Sequence, residues 1–110
     1  MTSADESDEI LLSHIRNECV KILDSLETIT RDEFKSNQLY QDAIIRRLEI
    51  IGEAAGNLSD GYCMKHPEIP IREMKAMRNI LAHQYFRVDL DYIWKTASID
   101  IPELIEMISE

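Results

Sequence analysis

With 110 residues, 45% of them hydrophobic and 30% charged, the chain has the size and composition of one globular domain spanning residues 1–110. No apolar run approaches the ~20 residues that cross a bilayer, and the acidic start (Asp5, Glu6, Asp8, Glu9) is not that of a signal peptide, so a cytoplasmic protein with no membrane partner is expected. The net charge of −9 argues against a general nucleic-acid binder, yet residues 65–87 hold Lys65, Arg72, Lys75, Arg78 and Arg87 against Glu68 and Glu73, a local +3 that leaves −12 for the rest.

The first predicted helix covers residues 8–29. Leu12, Ile15, Cys19, Ile22, Leu26 and Ile29 recur there at spacings of 3 and 4, down one helix face. His14 falls beside this stripe and is expected at the surface. Cys19 lies within the helical pattern and Cys63 near a loop, and both are expected as free thiols in a cytosolic chain. Thr30 with Asp32 and Glu33 has the chemistry of a cap and first turn, which predicts a new short segment. A second long helix is predicted over residues 38–58, with Ile44, Leu48, Ile51, Ala55 and Leu58 inward. Gly52 and Gly56 sit one turn apart in it. Glycine costs a helix ~1 kcal/mol per residue, so the pair predicts a second helix packed very close. The opposite side carries Arg46, Glu49, Glu53 and Asn57, which either face solvent or line a cleft.

Ser59-Asp60-Gly61 ends this helix, and Pro67 and Pro70 mark the loop that follows. Pro70 suits the first position of a third helix reaching residue 83, with Ile71, Met74, Met77 and Leu81 inward. A fourth segment starts near Asp89, where Leu90, Trp94, Ala97, Ile101, Leu104 and Ile108 repeat at 4, 3, 4, 3, 4. Pro102 lacks an amide proton and predicts a kink or restart. No strand pattern is present. Four amphipathic helices with short joins predict an all-α, up-and-down bundle, with any site on its surface or at a subunit interface.

The third helix carries the chemistry. Arg72, Lys75, Asn79 and His83 share a polar face, and Asn79, four residues before His83, is placed to hydrogen-bond its imidazole. Arg78 lies ~140° around the helix from His83. The two converge only if the helix ends near His83 or if a second copy brings its own pair across a symmetric contact. Histidine titrates near neutral pH, so a neutral His83 suits removal of the proton from a ribose 2′-hydroxyl. Arg78 suits the charge that builds on the phosphoryl oxygens, a contact worth ~3 kcal/mol in the transition state. Such cleavage needs no metal and no cofactor, leaves a 2′,3′-cyclic phosphate and a 5′-hydroxyl, and spares DNA.

Arg78-Asn79-Ile80-Leu81-Ala82-His83-Gln84-Tyr85 resembles the R-x4-H-x-Y motif of HEPN proteins. The text around it resembles the HepT-like branch: Asp42-Ala43-Ile44-Ile45-Arg46-Arg47-Leu48-Glu49-Ile50-Ile51-Gly52-Glu53-Ala54-Ala55, then His66-Pro67-Glu68-Ile69-Pro70, then Phe86, Val88-Asp89 and Trp94. The resemblance implies a four- to five-helix HEPN bundle that pairs as a homodimer, with the two motifs meeting in a composite endoribonuclease site. Arg78 and His83 would then be catalytic and Asn79 supporting. It also implies a type VII-like toxin whose partner is an MNT-type nucleotidyltransferase antitoxin that transfers AMP to the motif tyrosine, here Tyr85. Added bulk and negative charge two residues from His83 would block the cleft to RNA.

Glu53, on the polar side of the second helix, is a candidate for aligning Arg78 or His83 across the bundle. Cys63 and His66 have C-x2-H spacing, but one such pair does not make a zinc site. A competing reading makes the chain a non-catalytic helical partner or substrate-binding module of a nucleotidyltransferase. The intact Arg78/His83 pair separates the two, because a binding module needs no general base.

Overall fold

The computed structural model describes residues 3–83 and 89–108, and over these it is built of helices without a strand. Helix α1 (Ala4–Leu26) starts earlier than its apolar stripe, because the Ser3 hydroxyl accepts from the Glu6 amide at 3.2 Å and Asp5 and Glu6 favour the positive end of the helix dipole. It stops at Leu26, so Ile29 is buried from the following loop rather than from the helix. The short α2 (Arg31–Ser36) is set by a reciprocal cap: the Glu33 amide donates to Thr30 Oγ1 at 3.1 Å and the Thr30 amide to Glu33 Oε1 at 3.0 Å. Its one buried side chain, Phe34, meets Trp94 with ring centroids 5.5 Å apart.

Helix α3 (Gln38–Gly56) is capped by Asn37 and is the central element, packed between α1 and α5 (Ile71–His83). The order of its contacts fixes the topology. Arg47 pairs with Glu18 at 3.0 Å while Ser59, just past α3, reaches Asp8, so α1 and α3 run antiparallel. Gly52 lies against Met74 and Arg78 and Gly56 against Lys75, so α3 and α5 are antiparallel too. An up-and-down arrangement follows, as the short joins predict. Between α3 and α5, where the sequence predicts a loop, there is a helix, α4 (Asp60–Lys65), started by the Ser59 cap on the Tyr62 amide at 3.1 Å. Six residues are too few for an apolar periodicity to appear.

The last segment is one helical run in three parts: α6 (Leu90–Lys95), a π-helical turn (Thr96–Asp100) and α7 (Ile101–Ile108). Asp89 caps it through the amides of Asp91 and Tyr92. Pro102 does not break the run. The wider π turn just before it, in which the Ile101 amide donates to the Thr96 carbonyl, absorbs the mismatch. The core is continuous through all layers, from Leu12, Ile15, Cys19 and Ile22 on α1 through Ile44, Leu48 and Ile51 on α3 to Met74, Met77 and Leu81 on α5 and Ile93, Ile101 and Leu104 at the end. Arg16 Nε donates to the Ile108 carbonyl at 3.1 Å, which ties the end of α7 to α1. Among the described residues no helix is long and apolar enough to cross a membrane.

Candidate active site

Glycine positions the cleft. A Cβ built on Gly52 would stand 2.5 Å from Arg78 Cβ and 2.7 Å from the Met74 carbonyl oxygen, so only glycine admits α5 this close. The close approach was the expected reason for the Gly52/Gly56 pair. It lays the Arg78 stem across α3 and leaves a polar cleft of about 270 Å³ beside it. Gly52, Glu53, Gly56 and Asn57 form one wall and Lys75, Arg78 and Asn79 the other. Of the two readings left open for the polar side of α3, the cleft holds for Glu53 and Asn57, whereas Arg46 and Glu49 pair with each other at 3.6 Å.

Arg78 is half-buried, and its Nη1 donates to Asn79 Oδ1 at 3.0 Å. The expected bond from Asn79 to the His83 imidazole is not formed; the Asn79 amide oxygen instead accepts from the neighbouring guanidinium, a charged donor. His83 is the exposed last residue of α5 and does not line the cleft. Five residues of helix put it about 7.5 Å along and ~140° around from Arg78. The structure therefore brings together Arg78, Asn79 and Glu53, and leaves His83 apart from them within one copy. Tyr85 lies outside the described residues. Glu53 shares the cleft with Arg78 but has no ion pair to it within 4.0 Å.

Lys75 and Asn57 complete the cleft. In the sequence each lies on a polar helix face with nothing to join them, and the signal that joins them is the glycine pair, which sets the register of α5 on α3. The Cys63/His66 spacing resolves differently: His66 stacks on Tyr62 with centroids 4.3 Å apart, and its Nδ1 lies 3.3 Å from Glu68 Oε2. His14 is exposed, as expected.

The profile of the family described as "Ribonuclease HepT-like" matches residues 15–110, a span that holds both the cleft and the R-x4-H-x-Y motif. The chain belongs to the HepT-like ribonuclease family. Its relatives in that family include a "Probable ribonuclease HepT" of Thermococcus cleftensis, 45% identical over 86 residues that cover 74% of this chain and 78% of that one. A "Putative RNase" of Caldanaerobacter subterraneus subsp. tengcongensis is 37% identical over 99 residues, 90% of this chain and 88% of its own. A Methanocaldococcus jannaschii protein named "Gamma-glutamylcyclotransferase and putative RNase" is 42% identical over 100 residues, and there the chain spans 45% of the relative's length. No solved structure matches the chain significantly. Ribonuclease is the activity that the HepT-like relatives share by name.

Proposed function

We propose that this HepT-like chain is the toxin of a HEPN/MNT pair, a metal-independent RNA endonuclease whose site is completed by a second copy. The observation that carries the reading is Arg78: a half-buried guanidinium at a polar cleft, held by the Asn79 amide and, among the described residues, not neutralised by any carboxylate within 4.0 Å. A cation so placed suits a phosphodiester. His83, on the same helix but turned away from Arg78, suits a two-fold arrangement in which each copy supplies the base to its partner's arginine. The His83 imidazole takes the 2′-hydroxyl proton, the freed oxygen attacks the adjacent phosphorus, and Arg78 holds the developing charge while the 5′-oxygen leaves. The nucleotidyltransferase partner silences the toxin by adding AMP to Tyr85.

The test is cleavage of single-stranded RNA by the purified chain in the presence of a chelator. Products ending in a 2′,3′-cyclic phosphate and a 5′-hydroxyl are expected, with DNA intact. His83→Ala should lower the rate by about 10²–10⁴ and Arg78→Ala by on the order of 10². Mixing the two dead variants should recover about a quarter of the parent rate, because half the dimers are hybrids with one intact composite site. No recovery from a mixture shown to exchange subunits would remove the composite site. Tyr85→Phe should abolish the mass increment of an AMP group seen on co-expression with the nucleotidyltransferase; an unmodified parent mass beside an active partner would refute the silencing step.

A further inference from the structure

The cations of this chain are not used alike. Lys21, Arg31, Lys35, Arg46, Arg47 and Lys95 each have a carboxylate oxygen within 4.0 Å, and Arg16 takes the Ile108 carbonyl. Among the described residues, those left without an ion pair are Arg16, Lys65, Arg72, Lys75 and Arg78, and all but Arg16 lie on α4 and α5. This clustering occurs in a chain with 21 acidic residues to 12 basic ones, where carboxylates to pair with are plentiful. Two of the four on α4 and α5, Lys75 and Arg78, enter the same cleft, against one acid, Glu53.

The way Lys75 gets there is built into α3. A Cβ on Gly56 would meet Lys75 Cγ, Cδ and Cε at 3.3, 3.6 and 3.6 Å, so the lysine stem lies extended along the glycine. The apolar stem is thereby covered while the ammonium stays in the cleft. Beside it Asn57 donates one amide proton to the Glu53 carbonyl at 3.1 Å and keeps the other. Lys75 and Arg78 stand three residues apart, about 5–6 Å between Cβ atoms, which is the scale of one nucleotide step along a backbone.

Resting on the phosphodiester reading of Arg78, the geometry points to a second subsite: the Lys75 end of the α3–α5 cleft takes the phosphate next to the scissile one. The subsite holds a charge and reads no base, so it binds an RNA strand irrespective of sequence at that step. The recess of about 270 Å³ between the two helices lines up with the backbone of an RNA strand that runs at least one nucleotide beyond the cut. With Glu53 opposite, the cleft carries only a small positive balance, so a chain of phosphates is gripped and a lone phosphate is not.

The experiment is fluorescence anisotropy on the full chain with a fluorescein-labelled single-stranded RNA of mixed sequence, in a His83→Ala background so that the probe survives. Lys75→Ala is expected to weaken binding on the order of fivefold and to reduce the slope of log affinity against log salt by about 0.7. Lys75→Arg should restore both. In the cleaving protein the Lys75→Ala loss should fall mainly on KM, and it should vanish on a substrate whose flanking phosphate is an uncharged methylphosphonate. Lysine is exposed there and alanine favours helix, so an unchanged melting temperature is the control for folding. RNA that is cut by the parent while a folded Lys75→Ala keeps the parent's KM and salt slope overturns the subsite alone. RNA neither bound nor cut by the parent overturns the nuclease reading and the subsite with it.

Discussion

Cys19 and Cys63 are both free thiols, but they differ in what surrounds them. Cys19 is shut into the α1 stripe, and its thiol is pushed up to about 12, first by burial and then by the neighbouring Glu18 carboxylate. Its thiolate is therefore scarce at any ordinary pH. Cys63 is only half-buried on α4. A thiol reagent at pH near 8 is expected to label Cys63 quickly and Cys19 only after unfolding. Rapid modification of both in the folded chain would contradict the buried placement. The same shift has a pH consequence. A raised folded value means that the Cys19 contribution is whole below the ordinary thiol value of 9.0 and is lost as the pH climbs toward about 12. Buried polar groups are rarer and more telling. Asp8, 5% exposed, accepts from the Ser59 amide at 2.9 Å and its hydroxyl at 2.6 Å, which locks the start of α1 to the start of α4. Thr96, 4% exposed, has a hydroxyl without a hydrogen-bond partner among the described residues. It opens the π turn, where the normal i−4 pattern of the backbone is broken.

At the scale of the elements, the two glycines of α3 look equivalent in sequence and are not. At Gly52 the obstacle to a side chain is the Met74 backbone carbonyl and the fixed Cβ of Arg78, neither of which can swing away. Gly52→Ala must therefore move α5. Overpacking of about 1–3 kcal/mol outweighs the ~1 kcal/mol that alanine returns in helix propensity, so the melting temperature should drop by several degrees, and Arg78 should lose its place at the cleft. At Gly56 the nearest atom is Lys75 Cγ at 3.3 Å, on a flexible side chain. Gly56→Ala should fold as well as the parent or better, and it should disturb only the Lys75 stem. Equal melting temperatures for the two variants would show that the helices do not approach as closely as described. This asymmetry also marks the limit of what was legible in the chain. The stripes of α1, α3 and α5 predicted the core, because a 3.6-residue period is a direct record of burial. Gly52 and Gly56 predicted a close neighbour for the same reason. The register of α5 against α3 left no periodic trace, so Lys75 and Asn57 were visible as polar residues and not as partners. The bond between Arg78 and Asn79 was hidden because adjacent residues do not face each other on an ideal helix, and only the length of arginine lets it curl back.

Taken whole, the molecule divides its charge between two tasks with opposite responses to salt. Its 21 acids against 12 bases leave −9 to repel itself. The ion pairs that offset this are mostly exposed: the Arg31 and Lys35 pairs with Asp91, which hold the Asp91 carboxyl below its usual range through their hydrogen bonds, are open to water, as is the Lys95 pair with Asp100. Pairs of that kind contribute little, because water screens both charges. Added salt weakens them slightly, but it also screens the repulsion across the whole acidic surface once the Debye length falls to about 10 Å near 0.1 M. Repulsion involves many more charges than pairing does, so the melting temperature should rise as salt is added from very low concentration up to about 0.15 M. RNA affinity should fall over the same range, because every phosphate engaged by Arg78 or Lys75 releases counterions whose return salt favours. Running differential scanning calorimetry and RNA anisotropy through one salt series therefore reads the two halves of the charge distribution separately. A melting temperature that fell in step with RNA affinity would mean that the surface ion pairs govern the fold after all. An affinity indifferent to salt would mean that the unpaired cations of α5 do not meet phosphate.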